Sequence, residues 1–375
     1  MNRIYFDNAA TTALDPEVFE TMKPFFLEKF GNPSSIYSYG RETRLAIENA
    51  RKTVAKIINA HPSEIFFTSG GTESSNTAIN AAVHDLGCKH IISSPIEHHA
   101  TLHTIEHLKK VGDAYVSYVN ILPNGDVDLD DLERILKESN ERCLVTLMHA
   151  NNEIGNLTDI QKVGELCEKY SAVFHSDTVQ TLAHFPIDVS AIKVHFLNGA
   201  AHKFHGPKGV GMLYVNKEIK VDPYIQGGAQ ERNMRAGTEN VYGIIGFAKA
   251  LEMAVSNMEE ETKHIKGIRD YMKQRLLEEI PGVCFNGNIE GNCLYTVLNV
   301  GFPKSDKSDM LLFNLDINNI CASGGSACSS GAEAGSHVIS ALPGKKEQTT
   351  VRFSFSKFNT KEEVDQVVKI LKEVI

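Results

Sequence analysis

Lys203 sits in Phe196-Leu-Asn-Gly-Ala-Ala-His-Lys-Phe-His-Gly-Pro-Lys-Gly-Val-Gly211, between an apolar run and a glycine-rich turn. A lysine at a strand end can form a Schiff base with an aldehyde, above all where desolvation weakens its hold on a proton. The chain carries 38 Lys and Arg residues, so a lysine taken alone reads as a solvated charge. Order sets this one apart. Upstream, Phe66-Phe-Thr-Ser-Gly-Gly-Thr-Glu-Ser-Ser-Asn76 runs from an apolar stretch through two glycines into a helical pattern. The free N–H groups and positive dipole end of such a helix start bind phosphate, and Gly71 and Thr72 stand there. His98 follows in Pro95-Ile-Glu-His-His-Ala100, and Asp177 in Phe174-His-Ser-Asp-Thr-Val-Gln180, just past a predicted strand.

Phosphate turn, histidine, acid and lysine match the parts of pyridoxal 5'-phosphate: a phosphate, an aromatic face, a ring nitrogen and an aldehyde. Asp177 suits the ring nitrogen, which its carboxylate keeps protonated so that the ring remains an electron sink. Each residue alone also has a bland reading. The glycine turn can be structural, and Asp177 can be a helix cap. A fifth position, Cys328, lies in Cys321-Ala-Ser-Gly-Gly-Ser-Ala-Cys-Ser-Ser-Gly-Ala-Glu-Ala-Gly335. Cysteine is usually packed as a small hydrophobe, but these neighbours have too little bulk for a core, and the glycines free the backbone. The pattern reads as a thiol on a movable arm, or as a glycine-rich loop with an incidental cysteine.

Composition narrows the field. At 375 residues the chain exceeds the roughly 250–300 at which a single core stops growing. Net charge of −9 argues against a nucleic-acid footprint and gives no attraction to anionic membranes. No apolar run approaches the roughly 20 residues of a membrane span. Met1–Asp7 has no signal-peptide core, so a cytoplasmic location is expected. The seven cysteines form no CxxC pair. His98 with His99, and His202 with His205, lack further ligands at metal-binding spacing, so no metal is expected.

These residues need a scaffold. Candidate strands are Ile65–Thr68, His90–Ser93, Tyr115–Val119, Leu144–Met148, Ala172–His175, Phe196–Asn198 and Gly211–Val215. Amphipathic stretches Thr72–His84, Ala100–Val111 and Asp159–Tyr170 lie between them, the last with a capping-box start at Thr158 and Gln161. Alternation of this kind predicts an α/β fold with a mostly parallel sheet, whose ligands bind beyond the carboxyl ends of the strands. Near residue 240 the rhythm changes. A long helical segment from about Val241 to Glu279 precedes short strands at Val283–Asn286, Leu294–Val300 and Val351–Ser356, and Lys361–Ile375 has one apolar helical face. The expected division is a large domain over 15–250, with a smaller α+β domain built from 1–14 and 251–375.

With these residues in place the sequence resembles the pyridoxal-phosphate cysteine desulfurases of the NifS/IscS type. The resemblance runs from Tyr5-Phe-Asp-Asn-Ala-Ala-Thr-Thr12 to Val351-Arg-Phe-Ser-Phe355. It includes Gly31-Asn-Pro-Ser34, His149-Ala-Asn-Asn-Glu-Ile-Gly155, the stretch 227–238 and Ser326-Ala-Cys-Ser329. It implies a type I aminotransferase fold and a homodimer with two sites near the subunit interface. It also implies roles. His98 stacks on the ring and moves protons, and Asn152 lies beside the ring hydroxyl and substrate. Gln180 bonds the ring oxygen, while His202 touches the phosphate beside the Schiff-base Lys203. Thr238 reaches the phosphate from the other subunit, and Arg352 grips the substrate carboxylate. One departure stands out: the family usually has a serine three residues before the lysine, where this chain has Ala200. Weaker cofactor retention is the expected consequence.

The implied activity converts L-cysteine to L-alanine and leaves the sulfur as a persulfide on Cys328. An acceptor protein then takes it for iron–sulfur cluster assembly or tRNA thiolation. Enzymes of the same fold with other chemistry, such as a selenocysteine lyase or an aminotransferase, are the first rivals. A transaminase has no use for Cys328. A non-catalytic scaffold is the second rival, and the intact Lys203, Asp177, His98 and Cys328 speak against it.

Overall fold

A run of short, wholly apolar segments joined by amphipathic helices has one stable arrangement: strands side by side with both faces covered. The computed structural model describes residues 3–304, 308–325, 335–344 and 348–375. Its strands are β1 (Ile4–Tyr5), β2 (Ile65–Thr68), β3 (His90–Ser93), β4 (Tyr115–Tyr118), β5 (Cys143–Thr146), β6 (Val173–Asp177), β7 (Phe196–Ala200), β8 (Gly211–Val215), β9 (Cys284–Asn286), β10 (Val297–Pro303), β11 (Ile320–Cys321) and β12 (Gln348–Ser354). Seven of them form one sheet in the order β2-β8-β7-β6-β5-β3-β4. Only β8 is reversed, being antiparallel to both β7 and β2. The reversal follows from the short turn that connects β7 to β8: a parallel neighbour needs a long crossover, an antiparallel one does not. The other six carboxyl ends therefore share one edge.

Helices Gly71–His84, His99–Val111 and Ile160–Lys169 follow β2, β3 and β5. The last is capped by Asp159, whose carboxylate accepts from the Lys162 N–H at 3.0 Å. The expected cap at Thr158 is thus displaced by one residue, an acid at the dipole's positive end being the better acceptor. The expected single helix over 241–279 is two, Val241–Ser256 and Met258–Glu279, with Asn257 ending one and starting the next. The first is apolar on most sides and packs against helix Ser38–Ile57 and the large sheet's core. The second packs with the C-terminal helix Lys361–Val374 on the antiparallel sheet β12-β10-β9. The amino-terminal strand β1 pairs with β11, and the Asp7 backbone bridges Ser354, so the first residues of the chain are stitched to its last strand. Among the described residues no helix is long and apolar enough to cross a membrane.

Candidate active site

The shared edge of the sheet gathers side chains that lie far apart in the chain. Each arrives at the end of a strand or the start of the element after it. Gly71 and Thr72 open the helix after β2, and His98 caps the helix after β3. Asn152 lies in the loop after β5, Asp177 ends β6, and Lys203 closes a single helical turn after β7. These residues, with Gln180, His202 and Arg352, line one cavity of ≈190 Å³. Nine of the positions singled out in the sequence are therefore brought together.

At the phosphate end, Gly71 has no room for a side chain: a Cβ there would stand 2.7 Å from Val179 Cγ2. The preceding Gly70 has φ +156°, which other residues rarely adopt. His202 pairs through Nδ1 with Thr11 Oγ1 at 3.1 Å. Burial and the neighbouring Lys203 charge lower its pKa to about 4. His98 accepts the Ala100 N–H on Nδ1 at 3.1 Å. Burial first, and the Lys203 charge second, lower its pKa to about 4, so it is a neutral imidazole near pH 7. Asp177 Oδ1 accepts from the Val179 N–H at 2.9 Å. Burial raises its pKa, opposed by that hydrogen bond and by the His175 and Lys203 charges. Behind His98 the wholly buried Glu97 is held well above the usual carboxylate range by desolvation. Its Oε1 accepts the Met148 N–H at 2.9 Å.

Lys203 Nζ donates to the carbonyls of Ala9 and Ala10 at 2.6 and 2.8 Å, and Gln180 Nε2 to Ala9 O at 3.1 Å. The segment 5–12 is thus part of the site, which residue types alone had not disclosed. Arg352 lies on β12 and is 1% exposed; its guanidinium donates to Asn152 O at 2.9 Å and Asp7 Oδ1 at 2.7 Å. Asp7 is a further residue missed in the sequence, its only signal being an acid inside a motif noted for resemblance.

One expected position stands apart. Thr238 lines a different cavity of ≈210 Å³ with Glu231 and Arg235. The segment bearing it is anchored by the buried pair Arg51–Glu231 at 2.7 Å and by Arg235 on Glu73 at 2.9 Å. Cys328 lies outside the described residues.

A single-reversal α/β sheet with a lysine and an acid at its carboxyl edge defines the large domain of a type I aminotransferase fold. The comparisons agree. The pattern "Aminotransferase class-V" matches residues 4–367. A cysteine desulfurase IscS of Dictyoglomus turgidum is 45% identical, covering 99% of this chain and 94% of that protein. A solved NifS-like protein is 37% identical with a TM-score of 0.91, covering 100% of this chain and 99% of that one. Another, from Rickettsia africae, is 31% identical with a TM-score of 0.89. The chain belongs to the class-V aminotransferase family.

Pyridoxal 5'-phosphate is the cofactor, and the cavity fits it. Gly71 leaves the helix start open to an anion, Asp177 offers a desolvated carboxylate that a ring cation satisfies, and Lys203 stands at the same opening. Ala200 is 1% exposed and lines the cavity, and a Cβ placed on Gly71 would lie 3.9 Å from its own Cβ. A hydroxyl added there is one bond from a Cβ that borders the phosphate cradle. Ala200→Ser is expected to tighten cofactor retention by about 1 kcal/mol, one neutral hydrogen bond. Slower loss of bound cofactor on dialysis is the readout; an unchanged rate counts against the cradle.

Proposed function

We propose that the protein is a cysteine desulfurase that forms L-alanine from L-cysteine and passes the sulfur, as a persulfide on Cys328, to an acceptor protein. The observation that carries this is the meeting of Asp177, Lys203, His98 and Arg352 in one cavity, in a chain whose relatives bear that name.

When bound, pyridoxal phosphate supplies an electron sink for the pair left at the substrate Cα when its proton departs. The chain's residues do the rest. Arg352 holds the substrate carboxylate, and its planar fork suits two-point binding. Lys203 Nζ takes the Cα proton. His98, neutral at Nδ1 by its bond to Ala100, stacks on the ring and relays protons through its other nitrogen. The Cys328 thiolate attacks the substrate sulfur, since thiolate and not thiol is the nucleophile. The S–S bond forms as the Cβ–S bond breaks, and that electron pair stays with the carbon skeleton. Protonation there gives alanine, so cysteine and a thiol become alanine and a persulfide in balance.

A homodimer belongs to this reading. Phe26, Leu27, Phe30, Ile36, Tyr37 and Leu45 are exposed apolar side chains close together in sequence, the kind of surface a partner covers. Thr238, outside this chain's own cavity, is assigned to the phosphate of the second copy. The division into 15–250 and 1–14 with 251–375 is supported by two separate cores, one over Val18–Ala254 and one joining Ile4 and Phe6 to Ile265–Leu371. The chain's break at Asn257 lies close to that boundary. Iron–sulfur scaffolds and tRNA-thiolation enzymes are the proposed acceptors. A cytoplasmic location is part of the reading, supported by six described cysteines that are all free.

The test is to incubate the purified holoprotein with L-cysteine, quantify alanine and weigh the Cys328 peptide without reductant. Alanine with a peptide one sulfur atom heavier supports the reading. A keto acid in place of alanine, or an unmodified peptide beside accumulating alanine, overturns it.

A further inference from the structure

Arg352, assigned above to the substrate carboxylate, already carries a carboxylate of this chain. Asp7 Oδ1 meets one terminal nitrogen at 2.7 Å, and Asn152 O takes the other at 2.9 Å. The Arg352 side chain is 1% exposed and that of Asp7 17%. The guanidinium's Nε is buried without a hydrogen-bond partner. Two of its five N–H groups are thus committed, and the outward reach of the fork is set by what commits them.

Asp7 is itself held firmly. Its backbone bridges Ser354, two residues beyond Arg352 on the same strand. The Ser354 N–H donates to Phe6 O at 2.7 Å, and Asn8 Nδ2 donates to Ser354 O at 2.9 Å. Tyr5 Oη donates to the Asp7 carbonyl at 3.1 Å. The pair is therefore built on two paired backbones, with little freedom for either side chain. Immediately after Asp7, Ala9 and Ala10 form part of the cavity wall.

We propose that Asp7 is a positioning residue for substrate recognition, which fixes the Arg352 fork so that its free N–H groups face the amino-acid carboxylate. The proposal rests on the desulfurase reading for its substrate. A buried arginine on a long stem loses rotamer freedom on binding unless something orders it first. Asp7 pays that ordering in advance, and partly neutralises a buried cation that is otherwise costly before substrate arrives. Its effect belongs to ligands that carry a carboxylate and to no others.

Asp7→Asn keeps the shape and removes the charge. With the holoenzyme and L-cysteine, the expected result is KM raised about ten-fold, the gap between a charge-assisted and a neutral hydrogen bond. kcat is expected to stay within about three-fold, because uniform binding rather than chemistry is lost. In an Arg352→Gln background the same change is expected to add nothing, since residues acting through one another are not additive. Two probes read binding without turnover, through the visible spectrum of the bound cofactor. L-alanine is expected to bind more weakly to Asp7→Asn, and cysteamine, which lacks the carboxylate, equally well. Equal weakening of both probes, a fall in kcat at constant KM, or full additivity with Arg352→Gln overturns the proposal. Should Asp7→Asn fail to fold, Asp7→Glu retains the charge one methylene further out, and an unchanged KM there overturns it as well. If the wild type yields no alanine from L-cysteine while the L-alanine and cysteamine probes behave as stated, the desulfurase reading falls and the role of Asp7 stands.

Discussion

Lys203→Ala is expected to cut alanine formation from L-cysteine by at least about 10⁴-fold, the upper range for one positioned proton carrier. The ammonium sits at the mouth of the cavity on the carbonyls of Ala9 and Ala10. Both are backbone acceptors, and they hold the lysine in place at the cavity. No second lysine lines the cavity among the described residues. His98 and His202 are both lowered to about 4 by burial and by the Lys203 charge. They are neutral near pH 7, but neither offers an amine to the cofactor aldehyde. The variant is expected to bind the cofactor through the phosphate turn and Asp177. Borohydride, which fixes the cofactor's mass on the Lys203 peptide of the wild type, is expected to leave every peptide of the variant unmodified. Retained turnover, or a labelled peptide elsewhere, removes Lys203 from its role.

How much of this was legible in the sequence depends on the range of the interactions concerned. Strands buried on both faces read as apolar runs, so β2, β3 and β8 match their predicted spans and β5 is displaced by a residue or two. Once the strands are placed, the parallel topology puts Asp177 and Lys203 on one edge without further information. Helix Ser38–Ile57 was not visible. Its inward face carries Arg51, 2% exposed and paired with Glu231, 180 residues away. A charge within an apolar stripe defeats a periodicity argument, and its partner is not local. The break at Asn257 was hidden for the opposite reason: helix-forming residues continue on both sides of it, and only the two separate cores explain why the chain turns. Asp7 belongs with Arg51. It is an acid whose meaning lies in an arginine 345 residues on, a distance at which spacing carries no signal.

Asp177→Asn separates a functional carboxylate from a structural one. In the sequence Asp177 reads equally as a cap, and it does accept the Val179 N–H. Asparagine keeps that bond through its own Oδ1, so a capping role survives the change. The charge is another matter. Burial raises the Asp177 pKa above its ordinary 3.8, against the pull of Val179, His175 and Lys203. For an acid raised in the folded state, the unfolded chain gives up its proton first as pH increases. Stability is therefore lost from about the unfolded value upward to the folded one. Above the unfolded value the cofactor-free wild type bears the cost of that raised pKa, and the variant, which does not titrate, does not. Cofactor-free Asp177→Asn is expected to melt at least as high as the cofactor-free wild type at pH 7, with the difference vanishing at acid pH. The cofactor's ring cation reverses the balance, because it sets an opposite charge beside the desolvated carboxylate. The rise in melting temperature on adding pyridoxal phosphate is therefore expected to be larger for the wild type. Alanine formation is expected to fall by roughly 10²–10³-fold, the scale for one preorganised electrostatic group. A variant that is less stable without cofactor, yet gains as much from it as the wild type, makes Asp177 a cap and nothing more. A variant stabilised alone and crippled in turnover makes the buried charge the price of the electron sink.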